Sequence, residues 1–217
     1  MKEDTLVVHE IYRSVQGEST FAGLPCVFVR LTGCNLRCTW CDTPQAFYGG
    51  KRRPRREVLA EALALGTPLV ELTGGEPLLQ PGALVLMREL CDAGRTVLVE
   101  TSGEADISRV DPRVHKIMDL KAPGSGESHR NRWENLDHLG EKDEIKFVLA
   151  GRADYEWMRA VIRERALGER GPKLLASTVW GALSPRDLVA WVLDDALPVR
   201  VQVQLHKVIW GAAAQGV

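Results

Sequence analysis

No stretch of the 217-residue chain is apolar over the roughly 20 residues that a membrane-spanning helix needs, so no membrane partner is expected. The opening residues, MKEDTLVVHEIYRS, have no apolar leader core. A soluble, cytoplasmic protein is therefore expected. Neither sign of charge is in excess: 28 Lys and Arg stand against 29 Asp and Glu, a net charge of −1. That removes the electrostatic case for wrapping nucleic acid, and no direct nucleic-acid partner is expected. Cysteine is scarce and odd in number, at five, which excludes a disulfide scaffold and suits a reducing compartment. The five histidines never fall at the H-x₃₋₅-H spacing of a zinc finger. There is no internal repeat and no low-complexity tract.

What is present suits one ordinary globular domain over residues 1–217, with 45% hydrophobic and 26% charged residues. Short β-rich runs predict strands at Leu6–Glu10, Cys26–Leu31, Leu69–Thr73, Thr96–Thr101, Lys116–Leu120, Glu144–Leu149, Lys173–Thr178 and Val199–Leu205. Helical periodicity falls between them. Arg55–Leu65 places Val58, Leu59, Ala62 and Leu63 on one face, Leu84, Met87 and Leu90 recur together, and Tyr155–Ala166 aligns Met158, Val161 and Ile162. Ser184, Pro185 and Asp187 read as a capping-box start for a further helix. Strand–helix alternation predicts an α/β fold with a mostly parallel sheet. Roughly six such units fit a partial (β/α) barrel better than a full eight-unit barrel. Ligands in such folds bind beyond the carboxyl ends of the strands. The polar and glycine-rich segments GCNLRC, TGGEP, ETSG and DLKAPGSG all follow strands, and so converge on one face.

Cys34, Cys38 and Cys41 form a C-x₃-C-x₂-C clip within GCNLRCTWCDT. Three thiolates leave one corner of a four-ligand site open. Two readings stand on spacing alone: a structural zinc site completed by a distant fourth ligand, or an iron–sulfur cube with one free vertex. Cys26 lies in the apolar run CVFVRL and reads as a buried strand residue. Cys91 lies in a helical pattern far along the chain. In Thr73-Gly74-Gly75-Glu76-Pro77, the paired glycines after a strand either make a plain turn or bring the backbone close to a ligand with its amides exposed.

The ordered pair of cysteine clip and GGEP is similar to the radical S-adenosylmethionine superfamily. Within it the chain resembles the 7-carboxy-7-deazaguanine synthase family of queuosine and deazapurine biosynthesis. The resembling segments are EIYRSVQGES, Val27–Arg30, CDTPQAFY, TGGEPLLQ, ETSG, DLKAPGSG, EIKFVLAGRADYEWM and VQVQLHKVIW, with VQGE and QLHK the most distinctive. The resemblance implies a radical carbon–nitrogen lyase, often a homodimer. It would contract the ring of 6-carboxy-5,6,7,8-tetrahydropterin to 7-carboxy-7-deazaguanine with loss of ammonia. The implied cofactors are a 4Fe-4S cluster, S-adenosyl-L-methionine and magnesium (Mg2+), with a flavodoxin-like electron donor as partner.

Residue by residue, the resemblance assigns Cys34, Cys38 and Cys41 to the cluster, whose fourth iron takes the amine and carboxylate of S-adenosylmethionine. Gly74, Gly75 and Glu76 meet the methionine end, with Trp40 against the cofactor. Ser102, Lys121 and Ser177 are nucleoside-side candidates. For the two serines the plain alternative is turn chemistry, and for Lys121, which ends a strand after Asp119, a structural ion pair. Val15, Gln16, Gly17 and Glu18 form the substrate segment, where an amide and a carboxylate match a pterin's donor–acceptor edge. The plain alternative there is a polar turn. Arg30 ends an apolar strand and needs a partner, which a substrate carboxylate would supply. Thr73, His206 and Lys207 also fall beside the substrate, although a lone histidine at a strand end is more often merely satisfied. Thr43 matches the magnesium ligand. A single hydroxyl is a poor site, so magnesium is expected to bind appreciably only with the pterin.

The tail from Trp210 to Val217 runs on past the HK pair, where some short relatives end, and either folds over the site or frays. Lys51-Arg52-Arg53-Pro54-Arg55-Arg56 carries five basic residues in six. It reads as a solvated loop entering a helix or as a docking patch for an acidic electron donor. Two other functions stay open: a glycyl-radical activase, which has no use for Gln16, Glu18 and Arg30 facing a pterin, and a non-catalytic zinc module.

Overall fold

The computed structural model describes residues 3–217. Period-two alternation builds its sheet. In the strand β2 (Pro25–Leu31), Val27 and Val29 face one way, while Cys26 and Phe28 face the other. The same division recurs in β4 (Leu69–Gly74), β5 (Thr96–Thr101), β6 (His115–Asp119), β7 (Glu144–Leu149) and β8 (Lys173–Thr178). These strands pair in parallel in that order. β1 (Thr5–Val15) joins β2 antiparallel, and the short β9 (Arg200–Val201) adds to β8 in parallel.

The outer face carries the larger core. Helices α1 (Arg55–Ala64), α2 (Pro81–Asp92), α3 (Arg152–Glu164) and α4 (Pro185–Asp194) cover it with Val58, Leu86, Met87, Leu90, Tyr155, Met158, Leu188 and others. Each fully buried side chain of this kind contributes about 1.5–3 kcal/mol. With the fold held from outside, the inner face is free to carry charge. Its lower row is apolar: Cys26, Phe28, Leu69, Leu98 and Ile117. Its upper row is polar: Arg30 lies in register with Thr73, and Asp119 with Lys146.

Because β1 runs against β2, the 16–24 loop leaves the sheet at its amino-terminal end. It folds into the concave interior, where Gln16 reaches Glu71, Glu18 reaches Lys146 and Thr20 reaches Glu144. At the other edge, the Leu205 N–H donates to the Gly17 carbonyl at 2.8 Å. The two ends of the open sheet thus meet across the interior, which makes the partial barrel.

Three local expectations are corrected. The basic run is not a loop: Lys51–Pro54 forms an edge strand, β3, antiparallel to β1. Lysine, arginine and proline protect such an edge from further pairing, and their polarity hides the strand from a hydrophobicity reading. The expected strand Val199–Leu205 shrinks to β9. After the Gln202 N–H bonds to the Ala176 carbonyl, the chain turns inward and Leu205 starts the helix α5 (Leu205–Trp210). Ser184 does cap α4, but its side chain makes no capping bond, and only its carbonyl receives the Asp187 N–H at 3.1 Å.

Candidate active site

The cysteine loop leaves β2 at the carboxyl end of the parallel strands. It is fastened by its own backbone: the Gly33 N–H donates to the Ala46 carbonyl at 2.9 Å and the Thr39 N–H to the Ser125 carbonyl at 3.0 Å. Arg37 donates to the carbonyls of Cys34 (2.8 Å) and Leu36 (2.6 Å), with its guanidinium over the Phe47 ring. Leu36 anchors the loop at 1% exposure. Cys34, Cys38 and Cys41 are free thiols, partly exposed, on the wall of one cavity. Burial raises the thiols of Cys34 and Cys38 above the ordinary range, so a metal must displace protons to bind them. Among the described residues no three His, Cys, Asp or Glu side chains are arranged to hold a single metal ion. A cube asks something else of a three-thiol clip: each thiolate takes a different iron, and the fourth vertex stays free for a ligand from outside the chain. Cys26 is fully buried in β2, and Cys91 lies in α2.

The paired glycines have a different meaning from exposed amides. The Gly75 N–H is bonded to the Leu31 carbonyl at 3.1 Å, and the Glu76 N–H to the Gly33 carbonyl at 2.8 Å. A Cβ on Gly74, whose φ is +138°, would sit 2.1 Å from the Leu31 carbonyl oxygen. One on Gly75 would sit 2.1 Å from that of Gly33 and 3.0 Å from the Cys34 Cβ. The glycines let the end of β4 lie directly on the root of the cysteine loop. Both still line the cavity.

Glu76 does not line it. Its fully buried carboxylate accepts from the Leu78 N–H (3.0 Å), the Thr101 hydroxyl (2.9 Å), and the Ser102 N–H (2.7 Å) and hydroxyl (2.6 Å). It ties the end of β4 to the end of β5. Ser102, Trp40, Thr43 and Lys121 line the cavity. The Lys121 Nζ pairs with Asp119 at 2.7 Å, as the structural alternative has it. The other Asp119 oxygen is buried without a partner, an acceptor left for a ligand's hydroxyl or amine. Ser177 lies behind the wall, buried, with an unpartnered hydroxyl.

The opposite wall is built from the 16–24 loop, the upper inner row and α5. The Gln16 amide donates to Glu71 and accepts the Glu18 N–H at 2.5 Å. The Glu18 carboxylate takes the Lys146 ammonium at 2.9 Å and the Gln204 amide at 2.9 Å. Burial pushes that carboxyl up, but Lys146 and the Gln204 bond outweigh it and leave it below the ordinary carboxylate range. Lys146 also pairs with Glu100 and lies 4.0 Å from Asp119. Burial works against its charge, and Asp119, Glu100 and Glu18 overcome it, so its pKa stands well above that of ordinary lysine. Thr73 donates to Glu100 at 3.2 Å.

Arg30 already has partners within the chain: Nε pairs with Glu10 at 2.7 Å and Nη2 donates to the Tyr12 hydroxyl at 2.8 Å. A Cβ on Gly17 would strike the His206 ring, 2.1 Å from Nδ1, so the glycine of VQGE exists to receive the histidine of QLHK. The Lys207 ammonium holds Asp42 at 2.5 Å, and the Gln204 amide spans from Asp42 (2.7 Å) to Glu18. Val15 and the tail residues Ala212 and Ala214–Val217 line the same cavity, so the tail folds over the site. Motif reading passes over Glu10, Tyr12, Asp42, Glu71, Glu100, Lys146 and Gln204. For Glu71 and Lys146 the signal was there: a charged residue at an inward position of an otherwise apolar strand.

Comparison with known proteins agrees with this architecture. The family model described as the Radical SAM superfamily matches residues 28–162. The 7-carboxy-7-deazaguanine synthase of Koribacter versatilis is 46% identical, covering 97% of this chain and 99% of its own. That of Chlorobaculum tepidum is 46% identical over 99% of each. The crystal structure of QueE from Escherichia coli superposes with a TM-score of 0.74 at 23% identity, covering 93% of this chain and 95% of its own. The fold extends to Streptococcus suis SuiB bound to S-adenosylmethionine, with a TM-score of 0.53, 13% identity and coverage of 78% of this chain and 48% of that one. A three-thiol clip laid on a glycine pair, at the carboxyl end of a mostly parallel sheet, and relatives of near-identical length lead to one assignment: the chain belongs to the 7-carboxy-7-deazaguanine synthase family of the radical S-adenosylmethionine superfamily.

Proposed function

We infer that this chain is a 7-carboxy-7-deazaguanine synthase. It contracts the ring of 6-carboxy-5,6,7,8-tetrahydropterin and releases ammonia, using a 4Fe-4S cluster and S-adenosylmethionine. The observation that carries the reading is one cavity with two unlike walls: the three thiols and Gly75 on one, the Glu18–Lys146–Glu100 network and Arg30 on the other. When bound, cluster and cofactor supply one-electron cleavage and, with it, a radical able to abstract hydrogen.

The chain's own residues bind and orient. Cys34, Cys38 and Cys41 hold the cluster. Gly74, Gly75, Trp40, Ser102 and Lys121 shape the cofactor's space. Glu76 and Ser177 act from behind the wall, through the residues they support. Gln16 keeps one N–H and one lone pair beyond its internal bonds, and Glu18 is held ionised, so together they match a donor–acceptor edge. Arg30, steadied by Glu10 and Tyr12, offers its remaining N–H groups to the substrate carboxylate. Thr73 adds a hydroxyl at the same wall. His206 covers Gly17, and Lys207 holds the cysteine loop through Asp42. Thr43, whose hydroxyl lies 3.4 Å from the Gly74 carbonyl, gives magnesium one protein ligand, with substrate oxygens and waters completing the shell.

The test is an anaerobic assay of reconstituted protein with 6-carboxytetrahydropterin, with and without magnesium, following ammonia and deazapurine. Both products are expected in equal amounts. Decomposed cofactor without deazapurine sinks the reading.

One continuous sheet supports a single domain over residues 1–217. Family resemblance supports a homodimer, and the need to keep three thiols reduced supports the cytoplasm. Among the described residues, no helix is long and apolar enough to cross a membrane. A flavodoxin-like donor fits the basic edge strand only in part. Arg53 pairs with Glu61 at 2.6 Å and Arg55 with Glu89, while Lys51, Arg52 and Arg56 stay exposed. Reversing these last three charges is expected to slow flavodoxin-driven turnover and spare dithionite-driven turnover. An equal fall in both rates removes the docking idea.

A further inference from the structure

Glu71 is a carboxyl where the fold provides no reason for one. It is the middle inward residue of β4, between Leu69 and Thr73, in register with Phe28 on one side and Leu98 on the other. At 1% exposure it belongs to the apolar floor of the barrel, where a leucine would pack at lower cost. Its carboxylate accepts from the Gln16 amide. Gln16 itself is buried, and its carbonyl oxygen accepts the Glu18 N–H. These two contacts leave the amide one orientation: NH₂ toward the floor, C=O toward Glu18.

Resting on the reading of Gln16 and Glu18 as substrate-facing, we propose that Glu71 is a positioning residue: from the barrel floor it fixes the Gln16 amide, and through it the backbone of Glu18, for pterin recognition. The charged and titratable groups around Glu71 are Cys26 and the Arg30–Tyr12–Glu10 set from β1 and β2, Glu100 from β5, Lys146 from β7 and Glu18 from the loop. Burial, reinforced by the charge of Glu100, pushes its carboxyl well above the ordinary range, while the Gln16 bond and Lys146 offset this only in part. What the site takes from Glu71 is an acceptor oxygen for the Gln16 amide, while Glu18 and Glu100 hold the one ammonium. Glutamine can stand in for it and leucine cannot.

Two variants of the anaerobically reconstituted holoenzyme test this, Glu71→Leu and Glu71→Gln. In Glu71→Leu the buried Gln16 N–H loses its acceptor, so KM and the pterin Kd by titration should rise about tenfold, with kcat little changed. Glu71→Gln should recover most of the affinity. Hydrogen exchange of residues 16–24 reads the positioning without substrate: faster in Glu71→Leu, near wild type in Glu71→Gln. If exchange in Glu71→Leu matches wild type, or Glu71→Gln behaves like Glu71→Leu, the proposal is overturned. If the exchange contrast holds but wild type does not bind the pterin, the substrate reading fails and the positioning of the loop by Glu71 stands.

Discussion

Cys38→Ala is expected to abolish turnover and strip the protein of its cluster. Of the five free thiols only three line the cavity, and on the proposed function they are all that a cube with its fourth vertex kept for the cofactor would have. Removing one leaves two irons without protein ligands. No substitute is at hand, because Cys26 is fully buried in β2 and Cys91 lies in α2. Iron and sulfide should fall from about four per chain to near zero. Folding should survive, since Cys38 is partly exposed and its loop is pinned independently by Leu36, Arg37 and the Thr39–Ser125 bond. Cys26→Ala is the control. Cys26 is fully buried on the inner floor, and burial raises its thiol so far that it stays protonated. Its loss should cost packing energy and leave the iron untouched. Zinc near one per chain in wild type, or iron retained by Cys38→Ala, would defeat the assignment of the clip.

The sheet was largely legible because strands buried on both faces must be apolar, and those runs are hard to mistake. Glu144–Leu149 and Lys173–Thr178 fall where the sequence places them. What stayed hidden had other sources of stability. β3 reads as a charged loop because it is held by pairing with β1, not by burial. The approach to α5 reads as a strand because Val201, Val203 and Leu205 alternate, yet tertiary bonds to Gly17, Glu18 and Asp42 pull the chain off the sheet after β9. In the site, motif residues were visible and their partners were not. The glycine of TGGEP signals close approach, but its neighbour proves to be the Gly33 carbonyl. The glutamate beside it reads as a ligand contact, yet all its bonds stay within the protein. The Arg30 partners, Glu10 and Tyr12, sit across a strand pair whose register sequence does not give.

Lys146 governs the charge balance of the substrate wall, and its loss should be the largest single blow to stability. Glu18, Glu100 and Asp119 all face its ammonium, which is nearly buried at 5% exposure. Lys146→Met keeps the bulk of the stem and removes the charge. Carboxylates left unpaired in this setting cost about 3–5 kcal/mol, most of it desolvation no longer offset. The effect should depend on pH with a definite sign. The folded pKa of Glu18 is depressed, so its contribution is complete above the unfolded carboxyl range, near 4.3, and is lost as pH falls through the lower folded value. Without Lys146 the carboxyls of the wall take up protons more readily, and a protonated carboxyl needs no counter-charge. The gap between wild type and Lys146→Met should therefore be widest near neutrality and shrink in acid. Denaturant titrations at neutral and mildly acidic pH measure it. A gap under about 1 kcal/mol, as for an exposed pair, would mean that water screens the network. A gap independent of pH would point to lost packing, not lost charge. Adding Glu18→Gln and Glu100→Gln to Lys146→Met separates the two further: stability should return in part, because removing both sides of a buried ion network is far less costly than removing one. Activity should not return with it, since the proposed function assigns the same Glu18 carboxylate to the substrate.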